Sequence, residues 1–523
     1  MASNEKKKRF RKVAASLADL AGEEYTQALC ASRAWLTNEK IDVLQALANQ
    51  KVDFFPGDFQ QRLLSLLPQV GRECCKPLKQ SARGAASNEF QSHTHKPSSP
   101  LSGLGYFRVG ENGCLHLISK SEHYHAPLGH SFPGYRLLEH ARRLGIPNAT
   151  HNNTRGHITR RLEEELVRTA AGLSSGDASG LNRLLESKSK SALNRVLNLE
   201  TGSLAAEAAL KMVLNRFYRS QPGAAQPKYY GRLPVLLVLG DDQGDLKANY
   251  HGTTFLTQLM RGMWPDFLES LETNQQVLIR AVRPNHLADL DGAFDAYEQG
   301  AYKIAGFFHE LVMMNYGALT LNKSYVRRLY ALCKQHDVPT IVDEIQTCIW
   351  SPDIFMHREY GVKPTFLAVG KGIPGGEYPA SRILFSSEMD TLPQFGALVT
   401  NGQEEISSLA YLITMRWAEK NSDLIRDAGD YYQEKLNELA SRSSNIIQKI
   451  EGKRHLAGIV FNDLKAAQSF TSCLNRMGMD ISVQTYKDGC PPVALTKLPL
   501  IMEYQAVDFI IQHMEEAIRT ING

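Results

Sequence analysis

Three side chains that could do acid, base or nucleophilic chemistry follow two apolar runs in the second half of the chain. Asp343 and Glu344 end the run in "VPTIVDEIQT", and Lys371 follows the run in "PTFLAVGKGIPGG". Glycines beside a lysine leave room for a bulky planar ligand to approach the amine. In a partly desolvated site the pKa of that amine falls, and the neutral amine is a nucleophile. A salt bridge between the lysine and an acid explains the same residues without any ligand.

Thr201, Gly202 and Ser203 come directly before a strongly helical run in "LNLETGSLAAEAALKMVLNRFY". Unpaired backbone N–H groups at the start of a helix attract anions, as does the helix dipole, and small residues let a phosphate come close. The same three residues are also typical of an ordinary helix N-cap. The sequence therefore predicts either a phosphate site or a plain helix start at this point.

A third motif, "NYHGTT", places Tyr250 and His251 beside a glycine at another strand exit. A lysine, an acid, a phosphate-binding turn and an aromatic ring are together what pyridoxal 5'-phosphate needs. The lysine forms an imine with the aldehyde of the cofactor, the acid keeps its ring nitrogen protonated, and the aromatic side chain stacks on its ring. We therefore expect this cofactor.

Short apolar runs alternate with helical stretches in the region that carries these motifs. Such alternation predicts a mostly parallel sheet with helices on both faces, in which ligands bind beyond the carboxyl ends of the strands. Asp343 and Lys371 follow two of the runs, so we expect both at one edge of the sheet. The predicted strands lie within 232–240, 275–282, 302–314, 338–345 and 364–370.

The flanking regions have different patterns. Residues 13–80 repeat apolar side chains at three- and four-residue spacing, which predicts helices. Residues 80–103 are rich in Ser, Pro, Gly and His and predict an exposed linker, whose histidines we interpret as facing solvent rather than binding metal. From about residue 402 onward, helix, strands and a final helix predict a smaller α+β domain.

Composition limits the classes of function. A net charge of +4 is small for 523 residues and does not suggest a nucleic-acid partner. No apolar run reaches the roughly 18 residues that cross a membrane, and the basic start "MASNEKKKRF" lacks the apolar core of a signal peptide. Sparse cysteines without metal-ligand spacing predict a cytoplasmic protein with no metal site.

The motifs, in this order, resemble those of class III (omega-type) aminotransferases, which belong to the fold-type I pyridoxal-phosphate enzymes. The resemblance covers about residues 104 to 520, and "DEIQ" followed by "GKGIPGG" is its most specific part. It implies an α/β fold with a helical N-terminal extension and linker (1–103), a large cofactor-binding domain (104–400) and a small α+β domain (401–523). The first part of the large domain could also pack with the small one. The matching stretches are "TGSLAAEAALK", "YHGTT", "HELVMMNYG", "IVDEIQT", "AVGKGIPGG" and "VTNGQ".

The resemblance also implies a role for each residue that matches a motif of the family. Lys371 would carry the cofactor as an aldimine and act as catalytic base and acid, while Asp343 would pair with the ring nitrogen. Thr400 would reach the phosphate of the neighbouring subunit, which implies a homodimer with sites at its interface. The other implied positions are Gly202 and Ser203 at the phosphate, Tyr250 and Ile345 on opposite faces of the ring, His251 in the cofactor site, Gln346 at the phenolic oxygen, and Glu310 on the substrate side.

Three departures from the family pattern concern this site. "NGQEEISS" replaces the usual Gly-Asn-Pro motif after Thr400, and Leu204 stands where an acid is usual. "PPVALTKLPL" offers only Lys497 where the family often has an arginine that takes a substrate carboxylate. Arg155 is a candidate for that role because its loop corresponds to one that lines the family's substrate entrance, although an ordinary surface arginine explains it as well.

We expect a pyridoxal-phosphate-dependent aminotransferase that moves an amino group from an amine or amino acid to an oxo acid. Another reaction of the same cofactor, such as that of an aminomutase, racemase or decarboxylase, is compatible with the same fold, and the changed arginine region favours it. A non-catalytic scaffold is compatible with the extra N-terminal helices. The presence of both Lys371 and Asp343 argues against the scaffold.

Overall fold

The computed structural model describes residues 9–148, 152–240, 249–379, 381–484 and 491–522. At its centre lies a seven-stranded sheet in which only Ser381–Phe385 runs against the direction of the other strands. The predicted, mostly parallel sheet is therefore confirmed, and all five predicted strands belong to it. The strand order is Arg195–Leu199, Ser381–Phe385, Phe366–Gly370, Thr340–Asp343, Tyr302–His309, Leu233–Leu239 and Leu278–Val282.

Both faces of this sheet are buried, which is why its strands are continuous apolar runs. Successive side chains of a strand point to opposite faces. Leu237 and Val342 accordingly join one hydrophobic core, while Val238 and Ile341 join the second core on the other face. An alternating apolar and polar pattern would instead have indicated a sheet with one wet face.

Helices cover the sheet and connect most of its strands. A short hairpin of strands Val312–Met313 and Leu319–Thr320 follows strand Tyr302–His309. The helices of this region are Arg136–Arg143, His157–Ala171, Ala178–Leu185, Gly202–Leu214, Phe255–Met260, Pro265–Thr273, Leu287–Tyr297, Lys323–Gln335 and Met356–Tyr360.

The N-terminal segment is helical, as predicted, and packs on the rest of the molecule. The ring centroids of Phe10 and Phe55 lie 5.4 and 6.1 Å from that of Trp417. Two short antiparallel strands, Ala14–Ala15 and Val52–Asp53, pair with each other and so join the start of the segment to the residues before its last helix. Residues 1–8 of the predicted extension lie outside the described residues. Its helices are Leu17–Ala21, Glu23–Thr37, Ile41–Asn49 and Gly57–Leu66.

The stretch predicted to be a linker is mostly exposed from residue 81 to residue 99 and contains one short helix, Asn88–Ser92. It ends earlier than predicted, because Pro100–Leu104 forms a strand. That strand belongs to a four-stranded sheet that brings residues 100–118 against the C-terminal region. The strand order is Met479–Asp480, Leu115–Ile118, Phe107–Gly110 and Pro100–Leu104.

The C-terminal region combines helices with a second four-stranded sheet, in agreement with the predicted α+β pattern. The order of its strands is Ile447–Lys453, Leu456–Phe461, Val493–Lys497 and Val483–Gln484. Its helices are Glu405–Lys420, Ser422–Arg442, Leu464–Arg476 and Tyr504–Asn522. Within the described parts of the chain, none of the helices is both long and apolar enough to cross a membrane.

Candidate active site

A cavity of about 520 Å³ lies beyond the carboxyl ends of the central strands. The structure brings nearly all of the predicted site residues to its walls, although they come from distant parts of the sequence. Thr400 and Arg155 are the predicted residues that do not line it. The predicted residues in the wall are Gly202, Ser203, Tyr250, His251, Glu310, Asp343, Ile345, Gln346 and Lys371.

Asp343 ends strand Thr340–Asp343, and its carboxylate is held from two sides. One oxygen accepts a hydrogen bond of 3.0 Å from the backbone N–H of Ile345. The other lies 2.9 Å from Nδ1 of His251, whose side chain is buried. Two hydrogen-bond donors fix the orientation of this carboxylate, so Asp343 can direct its negative charge toward a group in the cavity.

Glu344, the second acid of the motif, points away from the cavity. It is fully buried, and its carboxylate accepts hydrogen bonds of 2.6 Å from the backbone N–H groups of both Met356 and His357. Nδ1 of His357 lies 3.0 Å from the same carboxylate. Adjacent residues at a strand end face opposite sides, so the two acids have different roles. Asp343 faces the site, and Glu344 anchors the start of helix Met356–Tyr360.

We expect Glu344→Ala to lower the free energy of unfolding by about 2 to 4 kcal/mol, because it leaves two buried N–H groups without an acceptor. Thermal unfolding of the purified variant measures the effect. Glu269→Ala, which removes an exposed glutamate from helix Pro265–Thr273, is the matched control and should change stability little. Equal melting temperatures for the two variants would contradict the anchoring role.

Lys371 follows strand Phe366–Gly370, the neighbour of the strand that ends at Asp343. Burial lowers the pKa of its amine, while the charges of Asp343 and Glu310 act in the opposite direction. The next residue must be glycine, since a Cβ on Gly372 would lie 2.4 Å from a ring carbon of Trp350. The lysine is thus placed at the cavity with a larger share of the neutral, nucleophilic form than a lysine in water has.

The predicted phosphate turn starts helix Gly202–Leu214, and the side chain of Thr201 caps it through the N–H of Leu204 at 3.4 Å. The Ser203 hydroxyl accepts a hydrogen bond of 3.0 Å from the N–H of Thr253, which ties the turn to the segment of Tyr250 and His251. The first N–H groups of a helix have no partner within it, so this turn directs free donors into the cavity wall.

The walls beside the turn offer a ring-sized slot. A Cβ on Gly202 would lie 2.2 Å from Cδ1 of Ile345, so any larger residue would force this side chain to move from its place beside the turn. Tyr250 is 36% exposed, and the guanidinium of Arg261 lies 5.1 Å from the centre of its ring. The stacking of Tyr250 and Ile345 on opposite faces of a bound ring stays a prediction.

Glu310 is buried in the same wall, beside Asn249, whose side-chain amide donates to one of its oxygens. Its other oxygen has no hydrogen-bond partner among the described residues, nor has Nε2 of His251. Burial, followed by the charge of Asp343, raises the pKa of Glu310. A protonated Glu310 is a donor as well as an acceptor. Buried polar atoms without partners are costly, so we expect both to gain partners when the cavity is filled.

Lys497 is fully buried and turns away from the cavity toward the backbone of Gln346. Its amine donates to the carbonyl oxygen of Gln346, lies 3.5 Å from the side-chain oxygen of the same residue, and lies 3.8 Å from the centre of a Trp350 ring. Burial, and then the charge of Lys371, lowers the pKa of this amine. Lys497 therefore supports Gln346 from behind, and it is not a substrate-facing replacement for the arginine of the family.

Thr400 and Arg155 lie outside the cavity of the single chain. Thr400 is exposed, and the N–H of the next residue, Asn401, donates to the carboxylate of Glu200 at 3.1 Å. Arg155 is ion-paired with Glu163 at 3.2 Å. The phosphate contact of Thr400 and the substrate contact of Arg155 both stay predictions.

Several cavity residues have no role in the predictions from the sequence. His125, Glu200, Asn315 and Tyr378 also line the cavity. Glu200 directly precedes the phosphate turn, so its position could have been inferred from that motif. Asn315 lies in the short 3₁₀ helix Met314–Tyr316 and within the stretch "HELVMMNYG", which therefore contains it without predicting a role for it. His125 and Tyr378 come from loops whose approach to the site depends on how distant segments pack, and no local pattern marks them.

Comparison with known proteins agrees with this geometry. The sequence profile of the family described as "Aminotransferase class-III" matches residues 160–518. The chain therefore belongs to the class III aminotransferases. Pyridoxal 5'-phosphate is the cofactor of this family, and the phosphate turn, the buried carboxylate and the lysine of the cavity are the groups that it requires.

Individual relatives are distant. The ornithine aminotransferase of Schizosaccharomyces pombe is 26% identical over 277 residues, which are 52% of this chain and 60% of that protein. The match thus spans less than two thirds of that relative's length. The structure of the Toxoplasma gondii ornithine aminotransferase has a TM-score of 0.63 at 17% identity and covers 85% of this chain and 97% of its own. A phospholyase from Arthrobacter, solved with phosphoethanolamine, has a TM-score of 0.61 at 18% identity and covers 80% of this chain and 94% of its own.

Proposed function

We propose that this class III aminotransferase transfers an amino group from an amine or amino acid to an oxo acid with pyridoxal 5'-phosphate. One observation carries the proposal: Asp343, which ends one strand, and Lys371, which directly follows the neighbouring strand, line a single cavity together with the phosphate turn. The amine and the carboxylate each have a distinct environment, since the pKa of Lys371 is lowered by burial and Asp343 is fixed by two donors. A surface salt bridge would need neither arrangement.

Each side chain has a part in the proposed chemistry. When bound, the cofactor supplies an electron sink for the substrate carbon. The backbone N–H groups at Gly202 and Ser203 would hold its phosphate, and the carboxylate of Asp343 would accept a hydrogen bond from its protonated ring nitrogen. His251 fixes the orientation of the Asp343 carboxylate. Lys371, once the donor amine has taken its place, would take a proton from the substrate carbon as general base and deliver it to the former aldehyde carbon of the cofactor as general acid.

The amino donor is proposed from the relatives. The name of the S. pombe relative gives ornithine as a substrate of that protein. For this chain we propose a small amine or amino acid, with ornithine as the first candidate. Glu310 is buried beside the cavity and its pKa is raised by burial, and we propose that it contacts the donor. We also propose that Arg155 contacts the donor's carboxylate once a second chain completes the site.

The half-reaction tests the proposal directly. The purified protein with bound cofactor is mixed with ornithine, other amino acids or diamines, without an oxo acid, and the cofactor's absorbance and mass are followed. Conversion of the bound cofactor to pyridoxamine phosphate, with one carbonyl product per site, is the expected result. Consumption of a substrate while the cofactor stays pyridoxal phosphate would instead favour another reaction of the same fold, for which the phospholyase neighbour is a precedent.

We infer a homodimer whose sites are completed across the interface. Thr400 is exposed and outside its own cavity, which supports a contact with a second chain. Thr400→Val removes one hydrogen bond to a charged phosphate, worth about 1.5 to 3 kcal/mol, so cofactor affinity should fall about ten- to a hundredfold. A titration of the variant with the cofactor measures this loss.

Mixed dimers test whether the sites are shared. Lys371→Ala chains are combined with Thr400→Val chains at a limiting cofactor concentration. With shared sites, each hybrid has one site with both lesions and one with neither, so activity returns on mixing. If Thr400 serves its own subunit, every hybrid site keeps one lesion. No recovery in hybrids shown to have formed would contradict the shared site.

A cytoplasmic location is also proposed. Its support is chemical: the described cysteines, Cys30, Cys74, Cys75, Cys114, Cys333, Cys348 and Cys473, are all free thiols. Exposed free thiols such as those of Cys74 and Cys75 persist in a reducing compartment. Fractionation of cells that produce the protein checks the proposal.

A further inference from the structure

A second cavity lies at the opposite edge of the central sheet. It measures about 710 Å³ and is lined by residues that precede strands Thr340–Asp343 and Phe366–Gly370, together with one face of helix Lys323–Gln335. The active-site cavity lies at the other ends of the same strands, and the two cavities share no lining residue. The second cavity is thus a separate place in the molecule with no part in the proposed transfer.

Positive charge dominates the walls of this second cavity. Five lining side chains are cationic and two are carboxylates. The cations are Lys190, Arg216, Arg327, Lys334 and Lys363, and the carboxylates are Asp337 and Glu388.

The two carboxylates are already neutralised by neighbours. Asp337 is bound by Arg216, lies 2.7 Å from the amine of Lys228, and accepts a hydrogen bond of 2.5 Å from the hydroxyl of Tyr229. The amine of Lys190 lies 3.0 Å from Glu388 and 3.4 Å from Asp337. Both acids therefore form an ion-pair network with Arg216 and Lys190 in the wall of the cavity.

Three further lining cations are exposed and form no ion pair with any residue that the structure describes: Arg327, Lys334 and Lys363. Arg327 and Lys334 stand seven residues apart on one helix, which puts them on the same face and about 10 Å apart along its axis. Lys363 comes from the loop before strand Phe366–Gly370. Three uncompensated cations around one concavity make a local positive potential that draws anions.

We propose that this second cavity binds a small polyphosphate through Arg327, Lys334 and Lys363. Two cations whose backbone positions are about 10 Å apart along a helix can contact different groups, so they favour a ligand with several linked anionic groups over a single phosphate or carboxylate. The hydroxyls of Ser189, Ser191 and Thr365 also line the cavity and supply donors for phosphate oxygens. The competing explanation is a solvated rim of surface cations, which predicts no saturable binding.

The test is a calorimetric titration of the cofactor-saturated protein with inorganic triphosphate. We expect saturable binding that weakens by about tenfold when both charges are reversed in Arg327→Glu/Lys334→Glu, since exposed charge contacts are worth about 0.2 to 1 kcal/mol each and reversal adds repulsion. Lys363→Glu, on a separate loop, should weaken binding as well. Binding should also weaken as salt is raised.

The matched control is Lys420→Glu. Lys420 is exposed at the end of helix Glu405–Lys420, pairs with no described carboxylate, and does not line either cavity. Its reversal makes the same charge change per residue and should leave the affinity within about twofold of the original value, because it lies outside the site. Unchanged affinity in Arg327→Glu/Lys334→Glu would overturn the proposal, whether triphosphate binds at the active-site turn or elsewhere. An absence of saturation in the wild-type protein would overturn it too.

Discussion

Turnover in Lys371→Ala is expected to fall by about four orders of magnitude, the upper range of what a positioned general acid and base contributes. The variant also loses the covalent link to the cofactor, so the visible absorbance of the bound cofactor should shift. The phosphate turn at Gly202 is untouched, and the variant should therefore still bind the cofactor non-covalently. Steady-state rates and the absorbance spectrum measure the two effects separately.

Lys371→Arg is the matched control for charge. A guanidinium keeps the positive charge but stays protonated, so it is neither a nucleophile nor a base. We expect it to be as inactive as the alanine variant, whereas Lys420→Ala on the surface should be unaffected. Turnover within tenfold of wild type in either Lys371 variant would show that another group does the chemistry.

Asp343→Asn should lower turnover by about three orders of magnitude, equivalent to about 4 kcal/mol of transition-state stabilisation. The amide keeps the shape of the side chain, and its oxygen or its nitrogen atom can still face His251. It removes the negative charge that keeps the ring nitrogen of the cofactor protonated. The rate constant at saturating donor measures the loss, and cofactor affinity should change much less.

A substitution of Glu344, the acid next to Asp343, is the comparison for the loss of turnover in Asp343→Asn. Glu344→Gln replaces a carboxylate that faces helix Met356–Tyr360 and not the cavity. It should melt at a lower temperature yet keep most of its turnover at a temperature where it is folded. If Asp343→Asn lost less than tenfold in turnover, or if Glu344→Gln lost as much as Asp343→Asn, the division of roles between the two acids would be wrong.

Much of this arrangement can be predicted from the sequence because parallel sheets follow a strict geometry. Strands buried on both faces are continuous apolar runs, and the residues that follow them meet at one edge. The amino-acid sequence alone therefore suffices to place Asp343 and Lys371 together. The glycine at position 202 can likewise be placed at a helix start, where anions bind.

Other features depend on packing between distant segments and are invisible in local patterns. The sequence shows Lys497 as the only cation in its strand, but not that it turns inward to Gln346. Tyr378 and His125 enter the cavity from loops without a regular period. The role of Thr400 depends on a second chain, so a single sequence gives it only through resemblance. The local sequence of Pro100–Leu104 predicts a linker, because only pairing with distant residues makes this segment a strand.

The central claim is that Lys371, and no other lysine, forms the covalent bond with the cofactor. Borohydride reduction of the cofactor-loaded protein fixes that bond, and digestion followed by mass spectrometry locates it. With Lys371 as the point of attachment, we expect a single phosphopyridoxyl group on the peptide that contains "AVGKGIPGG", at one per chain. A label on Lys497, which is buried behind Gln346, or a label spread over surface lysines, would contradict this assignment.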